Sequence, residues 1–295
     1  MQISVMSFNI QHCLNYRTRQ IDFDLFAQVI RQSGADIVGL NEVNGRGAGA
    51  DYLPQAEILA ERLGFHAYFA QAIAFDGVNP YGNALLSRYS IETAQTILIP
   101  DPETRGYAGY YETRCLLKAV VRTPQPLTVC VTHFGLNPDE QVLAQETVLA
   151  QIEDQRCVLM GDFNMTPDAE LLQSIRACMT DTAALIQGPT ATFPSDRPDR
   201  KLDYLFLSRD LTVQSAEILP VIASDHRPYF TVLSFRVQAL YSTDTHPLCP
   251  SFHLKTTYMS NRRNKNEKSI VSYPGMPFPR IHDNSGIRCA VHKRL

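Results

Sequence analysis

The sequence predicts a mixed α/β fold in which one sheet packs on another and helices cover the outside. Three observations lead there. From residue 1 to about 236, short apolar runs alternate with segments of helical period and repeated turn punctuation. Nine runs read as strands and four as helices. Polar residues able to do chemistry recur where apolar strands end or begin, so one rim of the sheets would collect them.

The strands are expected at 2–8, 36–40, 83–87, about 93–99, 115–121, 127–132, 157–160, 203–207 and 229–236. In "IDFDLFAQVIRQSG", Asp22 can cap a helix whose apolar positions Phe23, Phe26, Ala27 and Ile30 share one face, and Gly34 offers the stop. A second helix begins at Pro54 and carries Leu59 and Leu63 before Gly64. From Asp139 to Glu153 apolar positions repeat seven apart, Val142 with Leu149 and Leu143 with Ala150. Thr166-Pro167 reads as the cap and first residue of a fourth helix.

A chain of 295 residues with 44% hydrophobic content can bury a sizeable core, which excludes a disordered protein as a whole. The opening MQISVMSFNI lacks the features of a leader, and no later stretch is apolar enough to span a bilayer, so a soluble, non-exported protein is expected. The cysteine count is odd at seven, no CxxC occurs, and Cys130 and Cys157 lie inside apolar runs. These features point to a reducing cytoplasm.

The net charge of −3 hides a split, because residues 237–295 carry +6 and the remainder −9. Those last residues hold five prolines and "NRRNKNEK" without a sustained period. The expected organisation is one catalytic domain over 1–236 followed by a disordered basic tail over 237–295.

Asn9 ends "VMSFN", Glu42 ends "IVGLNE", His133 ends "LTVCVTH", and Asp162 and Asn164 end "CVLMGDFN". Asp203 opens "DYLFLS", and Asp225 and His226 precede the final strand. Carboxylates gathered in one pocket repel one another and pay for desolvation, a conflict that a divalent cation resolves. Oxygen donors from Glu, Asp and Asn suit Mg2+ or Mn2+, which keep coordination positions open for a phosphate. Histidines beside carboxylates supply donors and proton carriers for phosphoryl transfer. Asp203 can orient His226, and Asp162 can take a proton from an attacking water. Asn164 faces the same side as Asp162 if the chain stays extended.

In order along the chain, "SFNI", "LNEV", "GNALLSR", "THF", "GDFN", "LDYLF" and "SDHRPYF" resemble the motifs of the endonuclease/exonuclease/phosphatase family, whose fold is DNase I-like. The resemblance covers residues 1 to about 236. It implies a four-layer α/β sandwich, two packed and mostly antiparallel β-sheets flanked by helices, with a Mg2+-dependent phosphoesterase site at one rim. Carried over by motif, Glu42 is the principal metal ligand, with Asn9 beside it and Asp225 on the metal side. His133, Asp162, Asn164, Asp203 and His226 form the catalytic set, although the identity of the base stays open. Two departures stand out. Gln11 occupies a position that is acidic in abasic-site endonucleases, and Gly82 and Asn83 replace the Glu that pairs with the first His, leaving Asn83 as its neutral substitute.

The substrate implied is a phosphoester, read first as a nucleic acid cleaved by a monomeric, nuclease-type phosphodiesterase. Small-molecule or lipid-headgroup phosphate esters are the near alternative, and a catalytically inactive binding protein of the same fold is a further one. Phosphate contacts are expected from Arg114 first, with Arg88, Lys118 and Arg227 as further candidates. The tail offers a basic arm that could tether nucleic acid, or has no role in turnover.

Overall fold

A computed structural model describes residues 2–236, so the expected basic tail at 237–295 lies outside the described residues. Two six-stranded sheets form the centre. The first contains β1 (Gln2–Asn9), β2 (Ile37–Asn44), β3 (His66–Phe75), β4 (Asn79–Ser87), β11 (Leu211–Ile218) and β12 (Tyr229–Phe235), in the order β11-β12-β1-β2-β4-β3. The second contains β5 (Ile91–Leu98), β6 (Cys115–Val121), β7 (Leu127–His133), β8 (Cys157–Asp162), β9 (Met179–Asp181) and β10 (Asp203–Ser208), in the order β5-β6-β7-β8-β10-β9.

At the middle of each sheet sits one parallel pair, β1–β2 and β7–β8, while the other pairings are antiparallel. A parallel pair needs a crossover, and helices α1 (Phe23–Ser33) and α3 (Pro138–Leu149) provide them. Ligands and catalytic groups in such sheets gather beyond the carboxyl ends of the parallel strands. Both pairs deliver those ends to one rim, where Asn9 meets Asp162 across the sheets.

Alternation along the strands explains the layers. Val5, Ile37 and Leu85 of the first sheet pack on Leu117, Val131, Val158 and Met160 of the second. Met6, Phe8, Val38 and Leu40 point the other way, onto Phe26, Ile30 and Leu59 of α1 and α2 (Gln55–Leu63). Leu116, Cys130, Leu159 and Phe206 face Ala144, Val148, Leu172 and Ile175 of α3 and α4 (Leu171–Cys178). Strands buried on both faces are why the sequence shows continuous apolar runs. Each large side chain so buried contributes roughly 1.5–3 kcal/mol. Cys13, Cys115, Cys130 and Cys157 are buried free thiols.

The helix signals act locally as expected at α1. Asp22 Oδ1 accepts the Leu25 N–H at 3.0 Å, a cap worth about 1 kcal/mol, and Gly34 takes the left-handed conformation that ends the helix. At α3, Glu140 reaches back to the Asn137 N–H at 3.1 Å, and the helix stops at Leu149, short of Glu153. The fourth helix starts at Leu171, not Pro167. Thr166 opens a turn instead, closed by the Ala169 N–H on its carbonyl at 3.0 Å.

Candidate active site

The site rests on backbone features that hold polar groups at strand ends. Gly161, one residue before Asp162, has φ 147, and a Cβ there would run into the Thr132 carbonyl oxygen of the neighbouring β7. Only glycine lets β7 and β8 approach at that point, which presents His133 and Asp162 side by side in register. Glu42 lies inside β2, where the register with β4 slips between Leu40 and Val43, and its φ is 57. The bulge re-aims Asn41 and Glu42, which sequence alone placed just after the strand. Asn164 has φ 50, so the chain turns there and does not stay extended.

Asn41 fastens the two sheets together. Its Nδ2 donates to the Thr132 carbonyl and to Asn83 Oδ1, both at 2.8 Å, and its Oδ1 accepts the Asp162 N–H at 3.0 Å. Asn9 Nδ2 then bridges Glu42 Oε1 at 3.0 Å and Asp162 Oδ2 at 3.1 Å. The second oxygen of Asp162 accepts the Asn164 backbone N–H at 2.9 Å.

Two imidazoles flank Asp162. His133 Nε2 and His226 Nε2 each lie 3.6 Å from Asp162 Oδ2. His226 Nδ1 is 2.8 Å from Asp203 Oδ2, and its ring packs on Phe193 with centroids 4.8 Å apart. Asp203 and Asp162 stand directly opposite each other across the β8–β10 ladder. Such like charges repel, and the imidazolium between them is the compensating group. Burial alone would lower the His226 pKa, but Asp203 and Asp162 outweigh it and push it up to about 10. Burial pushes Asp162 up to about 7, with His226 opposing and Asp203 adding. His133 is driven well below the ordinary value by burial, then by Arg114 and His226.

Asp225 accepts from Gln11 Nε2 at 3.0 Å, and Gln11 N–H donates to Asn9 Oδ1 at 3.1 Å. Gln11, His12 and Cys13 all have positive φ, a left-handed turn that carries Gln11 into the site. Burial raises the Asp225 pKa, which His226 opposes and Glu42 raises further, so Asp225 and Glu42 sense each other's charge.

Two groupings could hold a metal ion. Asp162, Asp203 and His226 place one ligand atom each within 4.8 Å of one another. Asp203 Oδ1 is buried there without a hydrogen-bond partner, and the 2.8 Å Asp203–His226 hydrogen bond uses the other carboxylate oxygen and His226 Nδ1. The alternative grouping is Asn9, Glu42 and Asp225, a hard-oxygen set of the kind that small divalent cations prefer. The Gln11 Oε1 beside it is buried without a hydrogen-bond partner, an unsatisfied oxygen that fits a cation nearby.

The expected site residues therefore separate. Asn9, Glu42, His133, Asp162, Asn164, Asp203, Asp225 and His226 converge through the contacts above. Asn83 does not partner His133. It is buried beneath the site, where its Nδ2 donates to the Cys115 carbonyl at 2.9 Å and its Oδ1 serves Asn41. The neighbour of His133 is Arg114, 2.9 Å from Nδ1 and itself 2.6 Å from Glu112 Oε1. Arg114 is 9% exposed, with its NH1 turned to His133 and Glu112. Arg88 and Lys118 are held in ion pairs with Asp36 and Glu153. Sequence reasoning passed over Asn41, Gln11 as an Asp225 partner, and Glu112. The polar Asn41 inside "IVGLNEV" was a usable signal, as was the two-residue spacing of Glu112 and Arg114, which shares a side in an extended chain.

Residues 6–226 match the model of the Endonuclease/Exonuclease/phosphatase family. No curated protein matches the chain. Among solved structures, an endonuclease/exonuclease/phosphatase from Beutenbergia cavernae is similar at 24% identity and TM-score 0.70, over 79% of this chain and 72% of that one. The mannosyl-6-phosphatase Bt3783 of Bacteroides thetaiotaomicron aligns at 16% identity and TM-score 0.62, over 79% and 100% of the two chains. The human Nocturnin catalytic domain with bound sulfate aligns at 19% identity and TM-score 0.59, over 80% and 95%. The four layers, the gathered strand ends and the match across residues 6–226 lead to one conclusion: the chain belongs to the endonuclease/exonuclease/phosphatase family and is an enzyme of its phosphoric-ester-hydrolysing kind.

Proposed function

We propose that this enzyme is a Mg2+-dependent phosphodiesterase of nuclease type, with water as the nucleophile. The observation that carries the reading is Asp162 Oδ2, 3.6 Å from each of two imidazoles and 3.1 Å from the Asn9 amide that also binds Glu42. A divalent cation held by Glu42 and Asn9, with Asp225 beside them, would supply polarisation of a phosphoryl oxygen and neutralise charge. Asp162 takes the proton of the attacking water; its pKa near 7 suits a base at neutral pH. His226, kept cationic by Asp203, stabilises negative charge on the phosphoryl group. The Asn164 backbone N–H fixes the Asp162 carboxylate, and its side chain donates to the Phe134 carbonyl at 3.0 Å.

The polymeric substrate is supported by arginines near His226. The segments carrying Arg17, Arg19, Arg197 and Arg227 are tied together, by the Tyr16 N–H on the Ala223 carbonyl, the Tyr16 hydroxyl on Asp196 and Arg227 Nε on the Ser195 carbonyl. Among the described residues, Arg62, Arg88, Arg122 and Arg176 have carboxylate partners, whereas these four have none within ion-pair distance. Free cations at a rim suit successive phosphates. The second reading, a small phosphomonoester, is favoured by the −9 charge of the chain outside the tail and by the phosphatase name of the Bacteroides thetaiotaomicron structure.

Hydrolysis of single-stranded DNA, bis-p-nitrophenyl phosphate and a sugar phosphate, each with Mg2+ and with chelator, tests the proposal. Mg2+-dependent cleavage of DNA that weakens steeply with salt is expected. Cleavage of the sugar phosphate alone would replace the nuclease reading, and turnover unaffected by chelator would remove the metal.

A further inference from the structure

The two imidazoles beside Asp162 have opposite partners. His226 Nδ1 faces a carboxylate, Asp203, at 2.8 Å, whereas His133 Nδ1 faces a guanidinium, Arg114, at 2.9 Å. A guanidinium carries donors and no acceptor, and it stays protonated at any pH a protein survives. The contact can be a hydrogen bond in one way only: Arg114 donates, and His133 Nδ1 accepts with its lone pair. The single ring proton of His133 then sits on Nε2. Protonating Nδ1 would set N–H against N–H beside a fixed positive charge, in a ring only 5% exposed.

Arg114 cannot swing away easily. It is 9% exposed, and its NH1 lies 2.6 Å from Glu112 Oε1, which supplies the countercharge. On the far side of the ring, Asn164 Nδ2 lies 3.2 Å from Nε2 and also donates to the Phe134 carbonyl at 3.0 Å; it too can only donate, and because a neutral imidazole has one acceptor nitrogen, the shorter, charge-assisted contact from Arg114 takes the lone pair. Asn164 Nδ2 cannot accept the Nε2 proton. That proton is left for Asp162 Oδ2, 3.6 Å away, or for an anionic oxygen in the site.

We propose that Arg114, braced by Glu112, is a positioning residue that fixes His133 as the neutral Nε2–H tautomer, making it a hydrogen-bond donor to a phosphoryl oxygen and not a proton carrier. The donor role rests on the phosphoester reading above; the tautomer does not. His133 and His226 thereby divide the work: one imidazole offers a neutral N–H, the other a positive charge.

Two-bond proton–nitrogen correlation spectra of the full chain with isotope-labelled histidine report the protonated nitrogen of each ring, with His133→Asn assigning the signal. In the wild type at neutral pH, His133 should show protonation at Nε2 alone and His226 at both nitrogens. Protonation of His133 at Nδ1, or at both nitrogens, overturns the proposal without any variant. Arg114→Met removes the donor and should bring a mixture of tautomers, with kcat falling roughly 100-fold, the scale of losing one preorganised donor, while KM changes little. Arg114→Lys should restore part of both the tautomer and kcat. An unchanged tautomer in a folded Arg114→Met variant also overturns it. If the wild type shows the expected tautomer but hydrolyses no phosphoester, the tautomer lock stands and the substrate reading fails.

Discussion

The parallel pairs β1–β2 and β7–β8 are alike in topology, each joined by a crossover helix and each ending at the same rim, but they bring different chemistry. The ends of β1 and β2 present Asn9 and Glu42, an amide and a carboxylate joined by the Asn9 Nδ2 hydrogen bond. The ends of β7 and β8 present His133 and Asp162, groups whose pKa values are strongly displaced by burial. Their neighbours extend the contrast. Asp225 and Gln11 lie on the first side, while Asp203, Arg114 and Glu112 back the second. Backbone geometry therefore decides where groups meet, and residue type decides what each side does. On the reading proposed above, one side holds a cation and the other places protons.

Breaking the proton side should cost most. Asp162→Asn keeps the size but leaves one acceptor oxygen where the carboxylate serves both Asn9 and Asn164, and it removes the proposed base, so hydrolysis should fall about 1,000-fold with an unchanged circular dichroism spectrum. A rate within a few-fold of wild type would move the base elsewhere. His226→Gln should cost about 100-fold in kcat. Weakening the cation side should show first in binding: Glu42→Gln should reduce Mn2+ affinity, measured by calorimetry, roughly tenfold to 100-fold, while the tautomer of His133 stays as it was. A shift in both would mean that the two sides are not separable.

The Asp203–His226 pair sharpens the comparison through pH. The folded pKa of His226, about 10, lies above its ordinary 6.5. The stabilisation from the pair is therefore complete below pH 6.5 and is lost as pH rises toward about 10. Thermal melts of the wild type over that range should show Tm declining, and Asp203→Asn should flatten the decline. A wild-type Tm that rises over the same window would contradict the assignment of charge to His226. The smallest effect is expected at the rim, where Arg17→Gln or Arg197→Gln should lower the salt dependence of DNA binding by about one unit of slope each, without changing hydrolysis of a small diester.

Much of this was legible in the sequence because the strongest signals are local. The Asp22 cap, the Gly34 stop and the doubly buried strands each follow from a few adjacent residues. What escaped depended on distant contacts. β3, "HAYFAQAIAF", is Ala-rich and sits at a sheet edge, and β11 is broken by a bulge between Val213 and Ser215, so neither shows a clean period of two. The family resemblance suggested Asn83 for His133, but register carries it under Asn41 and brings Arg114 to the ring. The aim of Glu42 depends on a bulge set by pairing with β4, and the side-by-side placement of His133 and Asp162 on the close approach that Gly161 allows; neither is written in composition.

The separation of the two sides is tested most directly by anomalous diffraction from a crystal containing Mn2+. A peak beside Glu42 and Asn9, with the Asp203–His226 hydrogen bond intact, is the expected result. A peak among Asp162, Asp203 and His226, or none at saturating Mn2+, would contradict it.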